Sequence, residues 1–103
     1  MIWKLAYYDE VKQDVKEAKN WYFKRQPGLE KRFALDVKEA LDRLKKDPSR
    51  YEVKYRNVRT VLCRVFPYAI HFYIDELAGR LVIIAIVHQH RDPEFSRSRQ
   101  HNL

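Results

Sequence analysis

Histidine and arginine side chains in the second half of this 103-residue chain are spaced so that they could support acid–base chemistry. His71 and Tyr73 alternate along one strand-like run, and His88 and His90 alternate at the end of another. Histidine titrates near neutrality and can act as acid or base, while arginine can hold a phosphate. Metal-independent RNA cleavage through the ribose 2′-hydroxyl needs this combination. The candidates for contact with a target or with nucleic acid are Arg64, His71, Tyr73, His88, His90 and Arg91.

Other kinds of site have weaker support in the sequence. His88 and His90 form a lone His-x-His pair, and no Cys-x-x-Cys or His-Glu-x-x-His pattern accompanies them, so we predict no metal site. The chain has two glycines, Gly28 and Gly79, which excludes a glycine-rich phosphate loop. Cys63 lies within an apolar run and is expected in the core. We predict no cofactor, and a single buried thiol fits a reducing compartment.

The first half of the chain predicts a strand followed by two helices. Residues 2–8 are short, aromatic and β-branched, and Asp9 can cap the helix that follows. The Pro27–Gly28 pair ends this helix, and the Asp47–Pro48 pair ends the second one. Apolar residues at helical spacing define the buried stripes: Val11, Val15, Ala18 and Tyr22 in the first helix, and Leu29, Phe33, Val37, Ala40, Leu41 and Leu44 in the second.

The second half predicts four strands, at residues 51–56, 58–66, 68–75 and 81–89, with a turn that uses Gly79. Alternation in the third of these predicts two faces. Ile70, Phe72 and Ile74 should face the helices, and Ala69, His71, Tyr73 and Asp75 should form the outer face. The last strand is apolar on both sides, which indicates a central strand or a covered outer face.

This order, β-α-α-β-β-β-β, predicts an α+β fold in which a helical hairpin packs on one face of a small, mostly antiparallel sheet. We expect one domain over residues 1–103, with residues 91–103 as a flexible tail. The start of the chain lacks the layout of a signal peptide, and the longest apolar run is too short to cross a bilayer. The predicted location is therefore the cytoplasm, with no membrane partner.

Charge and aromatic residues point to macromolecular partners. The formal net charge is +7, which favours nucleic acid or an acidic protein. Trp21, Tyr22 and Phe23 are consecutive in the first helix, and each step turns the helix by about 100°, so they cannot all face inward. We take these three residues as candidates for a partner-binding groove.

An ordered set of short motifs resembles the RelE/ParE superfamily of type II toxins, also described as plasmid stabilisation proteins. The strongest markers are Phe66-Pro67-Tyr68 and the terminal Arg91-Asp92-Pro93. The remaining markers are residues 18–22, Pro27-Gly28-Leu29 with Arg32-Phe33, residues 41–44, Pro48, Arg64, Ile70 and His88-Gln89-His90. The resemblance covers nearly the whole chain and is greatest to the ParE branch.

The resemblance implies a toxin that is neutralised by a small antitoxin, whose C-terminal part is usually acidic and folds on binding. The ParE branch implies inhibition of DNA gyrase by binding, and the RelE branch implies cleavage of mRNA on the ribosome. RelE-type nucleases typically carry an arginine on the strand that corresponds to residues 68–75. Because no arginine lies between Phe66 and Asp75, we favour the gyrase-binding reading over the endoribonuclease. A third alternative is an inactive relative or a basic nucleic-acid-binding domain.

Overall fold

The computed structural model describes residues 2–90 and Arg99. Two helices precede most of the sheet, and a single turn of 3₁₀ helix at Pro48–Arg50 leads into the last four strands. The elements are β1 (Lys4–Tyr7), α1 (Glu10–Arg25), α2 (Leu29–Lys46), β2 (Val53–Tyr55), β3 (Val58–Leu62), β4 (Tyr68–Asp75) and β5 (Arg80–His88). The predicted element order is confirmed.

The five described strands form one sheet in the order β1-β5-β4-β3-β2. β1 runs parallel to β5, and the other three pairings are antiparallel. The predicted α+β class with a mostly antiparallel sheet is therefore confirmed. The first and last strands are neighbours, so β5 is an inner strand, as its apolar sequence predicted.

The helix boundaries follow the predicted signals, with one exception at the start of α1. Asp9 occupies the N-cap position, but its side chain makes no capping hydrogen bond and its backbone is already helical, with φ −59° and ψ −33°. Gly28 precedes α2 with φ +106°, a conformation that a side chain would strain. A second glycine, Gly79, has φ +66° in the β4–β5 turn, as the turn chemistry predicted.

β3 is shorter than predicted because a buried carboxylate captures the chain that follows it. The strand ends at Leu62 rather than Phe66. The side chain of Asp36, in α2, accepts hydrogen bonds from the backbone N–H groups of Arg64, Val65 and Phe66, at 3.2, 3.0 and 2.7 Å. Three successive amides that point at one carboxylate cannot also continue a strand ladder. The segment between β3 and β4 is therefore a turn fixed to α2.

The sheet is buried on the face towards the helices and over part of its outer face. The predicted inner residues of β4, Ile70, Phe72 and Ile74, pack with the helices, as expected. A second apolar cluster lies on the outer face and includes Tyr55, Val58, Val82 and Ile84, with Tyr73 against it. The outer face near β5 is thus covered rather than open to solvent.

A β-bulge in β5 brings two consecutive residues to the outer face. His71 pairs with Ala85 and Phe72 pairs with Ile83, so Ile84 has no counterpart in β4. Ile84 and Ala85 both join the outer cluster, while Ile83 and Ile86 join the helix-side core. Consequently the apolar alternation shifts by one residue within the strand.

The predicted tail, residues 91–103, lies outside the described residues except for Arg99, so its flexibility stays a prediction. None of the helices in the described part of the chain is long and apolar enough to cross a membrane.

Candidate functional site

Helix α1 separates charges on its two flanks, and a groove runs along each flank. Seen down the axis, Glu10, Asp14, Glu17 and Trp21 fall on one side, and Lys12, Lys16, Lys19 and Phe23 on the other. The acidic groove, about 740 Å³, lies between the first flank and β5. The basic groove, about 620 Å³, lies between the second flank and α2. The two grooves therefore present opposite charges to a partner.

The acidic groove is occupied by an arginine from the far end of the chain. Arg99 and Asp14 form a bidentate ion pair, with Nη1–Oδ2 and Nη2–Oδ1 distances of 2.7 and 2.8 Å. Their side chains are 9% and 6% exposed, so the pair is screened from solvent. Arg99 also donates to the carbonyl oxygen of Ile84 at 2.8 Å, and Asp14 accepts the N–H of Ile86 at 3.0 Å.

This arrangement compensates for a missing strand. The β1 pairing with β5 ends at Ile83, where the N–H of Tyr8 donates to the Ile83 carbonyl at 2.9 Å. Beyond that point the chain turns into α1, and no described strand continues along this side of β5. Asp14 and Arg99 then supply the acceptor and the donor that a strand would have supplied, because buried backbone groups require partners.

The basic groove has an apolar floor and a lysine rim. Val11, Val15, Val37 and Leu41 line the floor. Lys12, Lys16 and Lys19 lie at the rim, all with exposed side chains. An amphipathic segment with one apolar face and acidic flanks would match both the floor and the rim.

The three consecutive aromatic residues of α1 divide between the grooves and the core. Trp21 is 52% exposed at the acidic groove, and the guanidinium of Arg25 lies 4.7 Å from its ring centroid. Phe23 is 51% exposed on the basic flank. Tyr22 instead packs into the core, with its ring centroid 5.5 Å from that of Phe33. The expectation that at least one of the three is exposed is met by two.

His71 is held on the outer face in its neutral form. Its Nδ1 lies 3.1 Å from the hydroxyl of Tyr55. Burial, assisted by the charge of Arg99 and opposed by that of Asp14, lowers the pKa of His71 to about 4. The imidazole is therefore uncharged at neutral pH and is not an electrostatic anchor for phosphate.

His88 is the last residue of β5 and pairs with Tyr68 of β4, and His90 follows two residues later. The ring centroids of His88 and Tyr68 are 5.7 Å apart, and those of His88 and His90 are 5.4 Å apart. His88 lines the acidic groove with Pro67 and Tyr68. His71 faces outward and His88 faces the α1 side, so these two histidines do not form one acid–base site.

Of two further contact candidates, Arg64 lies apart from the histidines, and Tyr73 shares the outer face of β4 with His71 but not with His88. Arg64 is exposed in the turn after β3, where its backbone is bound to Asp36. Tyr73 packs on the outer cluster beside Tyr8, and burial together with a hydrogen bond to Tyr73 raises the pKa of Tyr8 to about 12. The remaining candidate, Arg91, lies outside the described residues.

Cys63 behaves as a packing residue. Burial, with a smaller contribution from the charge of Asp36, raises the pKa of its thiol to about 12. The thiolate needed for nucleophilic chemistry is therefore absent at neutral pH. Within the described part of the chain, no three His, Cys, Asp or Glu side chains converge in a way that could hold a metal ion.

Comparison with known proteins identifies the family. Residues 5–93 match the family described as the ParE toxin of the type II toxin–antitoxin system, parDE. The chain belongs to the ParE toxin family. No curated protein matches it significantly in sequence.

Solved structures share the ParE fold. A chain of the chromosomal ParDE system from P. aeruginosa superposes with a TM-score of 0.73 at 15% identity, covering 84% of this chain and 96% of that one. A chain of the toxin–antitoxin complex RelBE2 from Mycobacterium tuberculosis gives a TM-score of 0.57 at 18% identity, covering 85% and 99%. These similarities show a shared fold, and the family match over residues 5–93 confirms the RelE/ParE resemblance predicted from the motifs.

The sequence analysis of this ParE-family chain missed two buried aspartates. Asp14 lies three residues after Val11 and four before Ala18, within the apolar stripe of α1. Asp36 interrupts the stripe of α2 in the same way, three residues after Phe33. A carboxylate on a buried stripe requires a cation or several N–H donors, so these positions did carry a signal.

Proposed function

We propose that this protein is the toxin of a type II module, that it inhibits DNA gyrase by binding, and that an antitoxin neutralises it at the basic groove. Membership of the ParE family supports the toxin role. The observation that favours binding over cleavage is the separation of the histidines. His71 is neutral and hydrogen-bonded on one face of the sheet, and His88 lies on the other, so these two residues are too far apart in orientation to act as an acid–base pair.

The basic groove supports an acidic amphipathic partner. Val11 and Val37 in the floor are already buried, and the half-buried Val15 and Leu41 offer the apolar area that docking can still bury. The rim lysines steer an acidic segment and select its charge, although exposed ion pairs contribute only about 0–1 kcal/mol each. Phe23 extends the same flank of α1 by one turn beyond Lys19, which gives an exposed aromatic anchor. An acidic antitoxin segment fits this combination.

The antitoxin site can be tested by reversing charge at the rim. In the double variant Lys12→Glu/Lys16→Glu, we expect the affinity for the antitoxin encoded in the adjacent reading frame to fall by at least about tenfold. The control is Lys31→Glu/Lys46→Glu, which makes the same charge change at exposed positions of α2. Equal weakening by both variants would place the effect in net charge alone and contradict the groove assignment.

The target can be tested with purified components. We expect the protein to inhibit supercoiling by gyrase and to trap cleaved DNA, and its induction in cells to trigger a DNA-damage response. The antitoxin should reverse both effects. Unaltered supercoiling together with no DNA-damage response would rule out gyrase as the target.

A ribosome-dependent endoribonuclease is the second candidate. The adjacent rings of His88, His90 and Tyr68 favour it, because His88 lines the acidic groove and the His90 ring lies beside it. On this alternative, induction would create new 5′ ends within translated mRNA, and the variant His88→Ala/His90→Ala would abolish them. Intact mRNA after induction would eliminate the alternative.

A further inference from the structure

We propose that the acidic groove is a guanidinium-binding site whose ligand is the chain's own Arg99, and that this ligation is a latch closing the open edge of β5. The inference is independent of the cellular target and of the antitoxin. It rests on the geometry around Asp14, where one carboxylate and two backbone groups converge.

The ligand chemistry of the site is specific. A planar guanidinium offers two parallel N–H donors to Asp14, and one nitrogen, Nη1, bonds both Asp14 and the Ile84 carbonyl. An ammonium group is a compact point charge and cannot reproduce two parallel donors together with a third bond to the strand. Glu10 and Glu17 line the same groove and add negative charge. The site therefore selects arginine over lysine.

The site is also preorganised. Asp14 is fixed by α1 and accepts the N–H of Ile86, so one of its oxygens is positioned before any cation arrives. The β-bulge at Ile84 belongs to the same strand segment, and the freed Ile84 carbonyl is the second acceptor. Both acceptors derive from elements that the rest of the fold holds in place, whereas the donor comes from a residue that follows the last strand. The donor is a side chain from outside the helix and the strand that carry the two acceptors.

The consequence is control of the strand edge. Without Arg99, the Ile84 carbonyl loses its partner and the Asp14 carboxylate becomes a buried, uncompensated charge, which favours separation of α1 from β5. The backbone of β5 beyond Ile83 would then be accessible to solvent, because no described strand covers that side. Arg99 thus converts an open sheet edge into a closed one without adding a strand.

Amide hydrogen exchange and chemical rescue test the latch. In Arg99→Ala, we expect exchange of the Ile86 amide to accelerate by about tenfold or more, with Arg99→Lys intermediate. Ethylguanidinium should restore protection saturably in the millimolar range, and ethylammonium at equal ionic strength should not. The control Arg32→Ala removes the same charge from an exposed position of α2 and should exchange like the wild type.

Three results would overturn the proposal. These are wild-type exchange in Arg99→Ala, equal protection by lysine and arginine, and equal rescue by the two cations. If Arg99→Ala does not fold, the same rescue decides the matter. Folding restored by ethylguanidinium alone supports the site, and folding restored by neither cation rejects it.

Discussion

Two buried aspartates, one in each helix, fasten the helical hairpin to the sheet in different ways. Asp36 is 3% exposed and binds three backbone amides of the turn that directly follows β3. Asp14 binds one amide of β5 and needs Arg99, a residue 85 positions away, to balance its charge. The hydrogen bonds of Asp36 all come from the turn between β3 and β4, whereas Asp14 also needs a donor that follows the last strand.

The two aspartates differ in what must break for their hydrogen bonds to be lost. The donors of Asp36 are backbone groups of the turn that joins β3 to β4, so they cannot withdraw without local unfolding. The guanidinium of Arg99 is a side-chain donor, so its contacts with Asp14 and Ile84 can be lost without breaking the backbone hydrogen bonds of α1 or β5. Asp36 is therefore bound by backbone groups of the fold itself, whereas Asp14 depends on a side-chain ion pair with Arg99.

The largest expected effect is at Asp36. Asp36→Ala leaves one buried and two part-buried N–H groups without acceptors, so we expect the free energy of unfolding to fall by about 4 kcal/mol. Urea denaturation measures the change. Asp42→Ala, on the exposed side of the same helix, should cost less than about 0.5 kcal/mol. A loss below about 1 kcal/mol for Asp36→Ala would show that the turn does not depend on the carboxylate.

A somewhat smaller effect is expected in the pH dependence of stability, through His71 near the Asp14–Arg99 pair. His71 has a pKa of about 4 in the folded protein against an ordinary value of 6.5, so the unfolded chain binds the extra proton first. Above pH 6.5 the contribution of this group to the free energy of unfolding is fully present. As the pH falls from 6.5 towards 4, that free energy decreases by up to about 3 kcal/mol. Urea midpoints measured between pH 7.5 and 4.5 for wild type and His71→Asn should diverge, with the flatter profile in the variant. Parallel profiles would contradict this assignment.

The Asp14–Arg99 ion pair should contribute less to the free energy of unfolding than the hydrogen bonds of Asp36. A double-mutant cycle with Asp14→Ala, Arg99→Ala and both together should give a coupling energy of about 2 kcal/mol. This value is below the cost of about 3–5 kcal/mol for breaking a fully buried pair, because the freed arginine can reach solvent. A coupling near zero would mean that the two residues contribute to stability independently.

The sequence predicted the fold well because its signals were local. Helix ends followed the Pro27–Gly28 and Asp47–Pro48 pairs, and the alternation in β4 predicted its inner face. The end of β3 was placed too late, at Phe66, because the deciding interaction comes from Asp36, about 30 positions earlier. Spacing along the chain shows that an aspartate lies on an apolar stripe. It does not show which amides or which cation will satisfy it.

The candidate site was predicted less well for a related reason. His71 and His88 both lie on predicted strands, but membership of one sheet does not place residues on one face. The β-bulge at Ile84 shifts the alternation of β5, and no glycine or proline in that strand indicates it. The charge separation on α1, by contrast, was readable from helical spacing, since Lys12, Lys16 and Lys19 recur at one flank.

The smallest expected effect is a change in the pKa of His71, which senses the charges of both Arg99 and Asp14. The charge of Arg99 lowers the pKa of this imidazole and that of Asp14 raises it, with burial as the larger cause. In Arg99→Ala the pKa of His71 should therefore rise, while Arg32→Ala should leave it unchanged. NMR titration of the His71 ring measures both values. An unchanged pKa in Arg99→Ala would mean that the guanidinium does not occupy the groove in solution, whereas a rise would place it there even if the stability change is small.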